Sequence, residues 1–309
     1  MSVIAATGLS MVFGSHPALD ALDVAVPPGV TGLVGANGAG KTTFMSIVLG
    51  LRTPTSGTVS VLGLDPLRQG AELRANVGYG PERNVFPDDM PASDFVKHLA
   101  EVRGMPRGEA RSRASDALWL VGLGEERFRA LGTMSTGQRQ RVKLAQAIAA
   151  DPSLVLLDEP TDGLDPVQRD EMLALIRQIS EDYQIDVMLS SHLLEEVERI
   201  CDNVVALDAG RLVAQGRLDD LIGDVEGVTV ELAEIDDVPG SFDDVSARLR
   251  AAGLEVHHEA GLGRMDVLGA SADEVADAVR DAIADSRARV RRIEQRRRKL
   301  EDLFEAVQA

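Results

Sequence analysis

Gly35-Ala36-Asn37-Gly38-Ala39-Gly40-Lys41-Thr42 is the stretch on which the reading of this chain turns. It follows the apolar run Val30–Val34 and opens a helical pattern at Lys41. Glycines let the backbone wrap so that successive N–H groups point inward, at the positive end of a helix dipole, where phosphate oxygens bind. The stretch fits G-x-x-x-x-G-K-[ST], in which Lys41 reaches the β- and γ-phosphates and the Thr42 hydroxyl ligates Mg²⁺. With the chain's own glycine, lysine and hydroxyl frequencies, the pattern arises by chance roughly 0.003 times in a chain of this length. That disposes of an ordinary glycine turn and leaves a strand–loop–helix unit that binds a nucleotide.

Outward from the loop, short apolar runs alternate with amphipathic stretches up to about residue 216. Val59–Leu62, Leu154–Leu157, Val187–Leu189 and Val204–Leu207 read as buried parallel strands. Helical spacing falls at 92–103, 109–121, 137–149, 167–180 and 193–200. Asp208-Ala209-Gly210 reads as a hairpin turn. This is the pattern of an α/β sheet with helices on its faces.

The whole chain has 309 residues and a net charge of −18, room for about two domains. So acidic a protein does not approach nucleic acid by its overall field. Aromatics make up 3%, few platforms for base stacking. Of the 32 basic residues only Lys41, Lys97, Lys143 and Lys299 are lysine. No run approaches the ~18 apolar residues of a spanning helix. No signal peptide is visible at the N-terminus, and the chain reads as cytoplasmic. The single cysteine, Cys201, sits beside Ile200 and near Val204 and reads as a buried structural thiol.

The run Leu154–Leu157 ends in Asp158-Glu159. After a phosphate loop, the first carboxylate completes the Mg²⁺ shell with Thr42. The second can polarise a water in line with the γ-phosphate. Further motifs follow the same order. Met134-Ser135-Thr136-Gly137-Gln138-Arg139-Gln140-Arg141 resembles the signature of ATP-binding-cassette (ABC) ATPases. Asp158–Pro166 resembles that family's Walker B and D-loop run, and Ser190-Ser191-His192 its switch histidine. The signature carries Met134 and Thr136 where leucine and glycine are usual. Gly78-Tyr79-Gly80-Pro81-Glu82 has Glu82 where the family offers glutamine, and Asp162 stands where serine is common.

The resemblance implies a P-loop NTPase fold, an ABC nucleotide-binding domain over residues 1–216 with a helical subdomain at about 85–150. It implies ATP and Mg²⁺ as cofactors and assigns the residues. Phe13 lies against adenine. Gly35, Asn37, Gly38, Ala39, Gly40, Lys41, Thr42 and Thr43 hold the phosphates. Ser135, Gly137, Gln138 and Asp165 contact the nucleotide of a second subunit. Thr42, Glu82 and Asp158 are the metal ligands; Glu159 is the base, and His192 contacts the γ-phosphate. Ser135 is a good N-cap and Gly137 leaves its helix end open to an anion. A second such helix end beside the one at Gly40 fits a head-to-tail pair with ATP between the subunits. One set of motifs per chain means pairing with itself or a similar subunit. His16, His98, His257 and His258 show no ligand spacing and read as surface residues.

Residues 217–309 read as a small α+β accessory or regulatory domain. Val228–Leu232, a helix at 241–252, a strand pair at 254–257 and 265–268, a helix capped by Ser271 with Glu274, and Val290–Ile293 give the order β-α-β-β-α-β. A ferredoxin-like unit fits that order. A final helix carries the stripe Leu300, Leu303, Phe304, Val307, which must bury against something. The run Arg287–Lys299 has eight basic residues and one acid, Glu294. It is open to three readings: a face solvated or ion-paired against the acidic remainder, attraction to anionic lipid, or nucleic-acid contact.

Glu82, the chain length and the ending Leu300-Glu301-Asp302-Leu303-Phe304 together resemble the stand-alone ATPase subunits of ABC-2-type exporters. The resemblance implies an ATPase that closes as a homodimer, peripheral on the cytoplasmic side of the membrane, and drives a separately encoded transmembrane permease. The alternative is a soluble ABC ATPase of translation or DNA repair. No nucleic-acid partner is expected.

Overall fold

The computed structural model describes residues 2–83, 85–232, 241–259, 263–269, 271–286, 288–297 and 300–308. Strands are β1 (Ile4–Phe13), β2 (His16–Val26), β3 (Val30–Val34), β4 (Ser56–Val61), β5 (Val77–Gly80), β6 (Leu154–Asp158), β7 (Asp186–Ser191), β8 (Asn203–Asp208), β9 (Arg211–Arg217), β10 (Asp224–Leu232), β11 (Glu255–Glu259), β12 (Arg264–Leu268) and β13 (Val290–Arg297). Helices are α1 (Lys41–Val48), α2 (Gly70–Asn76), α3 (Ala92–Val102), α4 (Arg107–Leu120), α5 (Thr136–Ile148), α6 (Pro166–Tyr183), α7 (Leu194–Ile200), α8 (Leu218–Leu221), α9 (Ser241–Ala251), α10 (Ala272–Ser286) and α11 (Leu300–Gln308). No helix among the described residues is long and apolar enough to cross a membrane.

The chain forms two compact units, Met1–Leu218 with Leu303–Ala309, and Asp219–Asp302. In the first, a six-stranded sheet has the order β5-β6-β7-β3-β8-β9. All its pairs are parallel except β8–β9. Strands β3 and β6 are buried at every position, as their unbroken apolar runs require. Helices α5, α6 and α7 pack on this sheet. The β8–β9 turn holds Ala209 and Gly210, both at positive φ (44° and 80°), the twist a two-residue hairpin needs. A second sheet, β2-β1-β4, is antiparallel. Phe44, Ile47 and Leu73 are buried in the core that the two sheets share with α1 and α2. The helical subdomain is α3, α4 and α5, with two 3₁₀ turns, Glu125–Phe128 and Leu131–Thr133, leading into α5.

The second unit has the chain order β10-α9-β11-β12-α10-β13 and the sheet order β11-β12-β10-β13, antiparallel throughout. This is the ferredoxin-like arrangement. Val245 and Leu249 of α9 and Val275 and Val279 of α10 pack on Val228, Val230, Met265 and Val267. Ser271 caps α10, its hydroxyl accepting from the Glu274 N–H at 3.2 Å. The basic run is largely a strand, and three of its arginines are paired. Arg291 meets Glu231 at 3.0 Å, Arg292 meets Glu294 at 2.7 Å, and Arg296 meets Asp266 and Asp302 at 3.0 and 3.2 Å. Of the three readings, this supports the ion-paired face. Arg287, Arg298 and Lys299 lie outside the described residues, as do the side chains of His258 and Val307. Within α11, Leu300 is buried and Leu303 and Phe304 are half-buried.

Candidate active site

Strand register sets the site. Asp158 pairs with Ser190 and Val34 with Ser191, so β3, β6 and β7 end level at their carboxyl edge. Ligands bind at that edge of an open α/β sheet. The loop from Gly35 to Gly40 leaves it into α1. Gly40, the N-cap, has φ 104°, and a Cβ there would stand 2.7 Å from the Ala18 carbonyl oxygen. Only glycine makes this turn without strain.

Lys41 is buried at 7% exposure. Its Nζ donates to the Gly35 carbonyl at 2.6 Å and lies 3.5 Å from Glu159 Oε1. The other oxygen of Glu159, Oε2, is 2.8 Å from Nδ1 of His192. Glu159 has φ +47°, a conformation costly for a side-chain-bearing residue and frequent at functional sites. Its N–H donates to Ser190 Oγ at 2.9 Å, and that hydroxyl donates to Asp158 Oδ1 at 2.7 Å. Asp158 Oδ2 is buried and has no hydrogen-bond partner among the described residues. A buried carboxylate oxygen left bare is costly, and a divalent cation is the partner its charge fits.

A cleft of about 500 Å³ gathers these groups. Of the residues expected at the nucleotide, Phe13, Asn37, Gly38, Gly40, Lys41, Thr42 and Thr43 line it, joined by Glu82, Glu159 and His192. Gly35, Ala39 and Asp158 are buried and do not line it. Ser135, Gly137, Gln138 and Asp165 lie apart from the cleft. Ser135 and Gln138 form a capping box at the start of α5, with the Ser135 hydroxyl accepting from the Gln138 N–H at 3.3 Å. Asp165 caps α6, accepting from the Gln168 N–H at 2.9 Å. The Arg52 guanidinium stands 5.1 Å from the centre of the Phe13 ring, a cation–π contact on one face of that ring.

Four lining residues were not assigned to the nucleotide from the sequence: His16, which read as a surface residue, Ala18, Ala36 in the phosphate loop, and Asp162 in the D-loop run. His16 is paired with Phe13 across the β1–β2 turn, so recognising that hairpin would have found it. Glu196 of α7 also went unread. It is 3% exposed and accepts from the Thr161 and Ser191 hydroxyls at 2.9 and 2.7 Å, while Arg169 pairs with its other oxygen at 3.2 Å. It ties the turn after Glu159 to the residue before His192. Lys143 is buried on α5, and Nζ donates to the carbonyls of Pro81 and Glu82 at 2.8 and 3.0 Å. Burial lowers its pKa to about 8, against the opposing pull of Asp162, Asp158 and Glu82. Tyr79 is pushed up to about 12, by burial first and then by Asp158 and Glu82. Burial likewise raises the Cys201 thiol far above its ordinary range, which leaves it unreactive as a nucleophile.

Known proteins resemble this chain in sequence and fold. The ABC transporter family matches residues 19–162. The ABC transporter ATP-binding protein NatA of Bacillus subtilis is 34% identical over 62% of this chain and 78% of its own. The bacitracin transport ATP-binding protein BcrA of Bacillus licheniformis is 34% identical over 71% of each chain. A solved structure described as the ATP-binding subunit of an ABC transporter superposes with a TM-score of 0.63 at 28% identity. That match covers 71% of this chain and 92% of the other.

Proposed function

The chain belongs to the ABC transporter family as an ATP-hydrolysing subunit of the exporter type, and from that premise we propose how its residues divide the work. The observation that carries the reading is Glu159, held between Lys41 and His192 at the mouth of the cleft. Lys41 rests on the Gly35 carbonyl and the Glu159 carboxylate. The γ-phosphate would draw its ammonium away and leave Glu159 free to orient a water. The imidazole of His192, already hydrogen-bonded to Glu159, holds that carboxylate and faces the γ-phosphate. Asp158, Thr42 and Glu82 are the residues to hold Mg²⁺, which when bound would neutralise charge on the β- and γ-oxygens. Phe13 and His16 bound the end of the cleft that takes the base.

Two copies would pair head to tail, so that Ser135, Gly137, Gln138 and Asp165 of one reach the nucleotide of the other. Their position outside the chain's own cleft supports this, because within one subunit they have no nucleotide to touch. Closure would drive a separately encoded ABC-2-type permease, with the subunit peripheral on the cytoplasmic face of the membrane. BcrA, named for bacitracin transport, supports the transport reading over translation or DNA repair.

Glu159→Gln tests the assignment. Phosphate release should fall by roughly 10²–10⁴-fold, the range of a general base. ATP binding should persist, and ATP with Mg²⁺ should shift the variant to a dimer in size-exclusion chromatography. Unchanged turnover in this variant would remove Glu159 from the mechanism.

A further inference from the structure

The second buried lysine has a use of its own. Lys97 pairs with Asp94 at the surface at 3.1 Å, and Lys41 belongs to the nucleotide cleft. Lys143 is 3% exposed, and both its hydrogen bonds go to backbone carbonyls, those of Pro81 and Glu82. Burying an ammonium is costly. A methionine, apolar and of similar length, would be buried at this position without that cost. What the ammonium adds is several donors at one point, and here two of them fasten the segment that follows β5.

That segment carries Glu82 into the cleft. One turn earlier on the same helix, the Gln140 amide donates to the Asp162 carbonyl at 2.9 Å, and Asp162 also lines the cleft. Helix α5 begins at Ser135 and therefore carries the signature at its start and grips two cleft-lining segments further along. We infer that Lys143 is a positioning residue that locks the Glu82 segment to the signature helix, so that displacement of α5 moves the metal side of the nucleotide site. The inference rests on the ATPase reading above and adds the link between a subunit's own site and the surface it offers to its partner's nucleotide.

A double-mutant cycle on the full-length protein tests it, with Lys143→Met, Glu82→Ala and the pair. Lys143→Met should lower kcat about tenfold with KM for ATP within about twofold, a split that a general loss of fold stability would not produce. Because Lys143 acts through Glu82, the double variant should match the slower single variant. A multiplicative loss of about a hundredfold, or full activity in Lys143→Met, would overturn the inference. Thermal unfolding checks each variant for folding; if Lys143→Met does not fold, Lys143→Gln takes its place in the cycle. Wild-type protein that releases no phosphate would instead sink the ATPase reading. The cycle is then scored on Mg²⁺-dependent binding of a fluorescent ATP analogue, where non-additivity supports the clamp and additivity overturns it.

Discussion

Two helix N-termini in the first unit are assigned to the same kind of ligand, yet they are built in opposite ways. Helix α1 starts at Gly40 in the left-handed region, with no side chain capping it. Helix α5 starts at Ser135, closed by a reciprocal capping box with Gln138. The first-turn N–H groups of a helix have no partner within the helix. At α1 no side chain caps them, and Lys41 beside them is paired with the Gly35 carbonyl and the Glu159 carboxylate. At α5 the Gln138 N–H is already satisfied by Ser135. The first end is a site prepared to take an anion within one chain. The second satisfies one of its own N–H groups with a side chain and is stable by itself.

If that contrast is right, damage at α1 should abolish nucleotide binding in the isolated subunit. Lys41→Arg is the severest case. A planar guanidinium does not fit where a compact ammonium reaches the Gly35 carbonyl. Losing a charge-assisted contact to phosphate costs about 3 kcal/mol, roughly a hundredfold in Kd for ATP, read by equilibrium dialysis. Gly40→Ala comes next. It forces a Cβ against the Ala18 carbonyl oxygen at 2.7 Å and against Leu19 Cδ2 at 2.7 Å, at positive φ. Strain of about 1–3 kcal/mol should appear as a lower unfolding temperature and as weaker ATP binding together.

The contrast also explains which parts of the chain its sequence discloses. The phosphate loop was legible because its chemistry is local, with spacing alone setting the glycines and Lys41, and the signature helix was legible through its resemblance to the family motif, with Ser135 as a ready N-cap. Strands β1 and β2 were not read. Gly8 and Pro17 break their alternation, and their pairing shifts register between Ala6 and Leu9 and again between Leu9 and Met11. Without that hairpin, His16 had no reason to join Phe13. Glu196 sits in the stretch Glu195-Glu196-Val197-Glu198, which reads as an exposed acidic face. Its partners Thr161, Ser191 and Arg169 come together only through the fold. Strand β13 runs past Val290–Ile293 to Arg297 because Asp266, from the neighbouring part of the sheet, receives Arg296, so a charged segment can lie in a ladder.

At α5 the smaller effects should separate structure from function. Ser135→Ala removes the acceptor for the Gln138 N–H and should cost about 1 kcal/mol of stability, a few degrees in a thermal melt. ATP affinity of the isolated subunit should stay at the wild-type value. Gly137→Ala is the mildest for the fold. Its Cβ would meet Gln168 Oε1 at 2.5 Å, the far end of a flexible side chain on an exposed stretch, which can swing aside. Stability should therefore change by less than about 0.5 kcal/mol, and ATP binding to the single chain should be unaltered. The added methyl nevertheless stands beside the helix end assigned to the partner's nucleotide. In a Glu159→Gln background, ATP-driven dimerisation measured by analytical ultracentrifugation should weaken several-fold. A Gly137→Ala subunit that weakens ATP binding as a monomer would mean the two helix ends serve the same chain, and the division between them would fail.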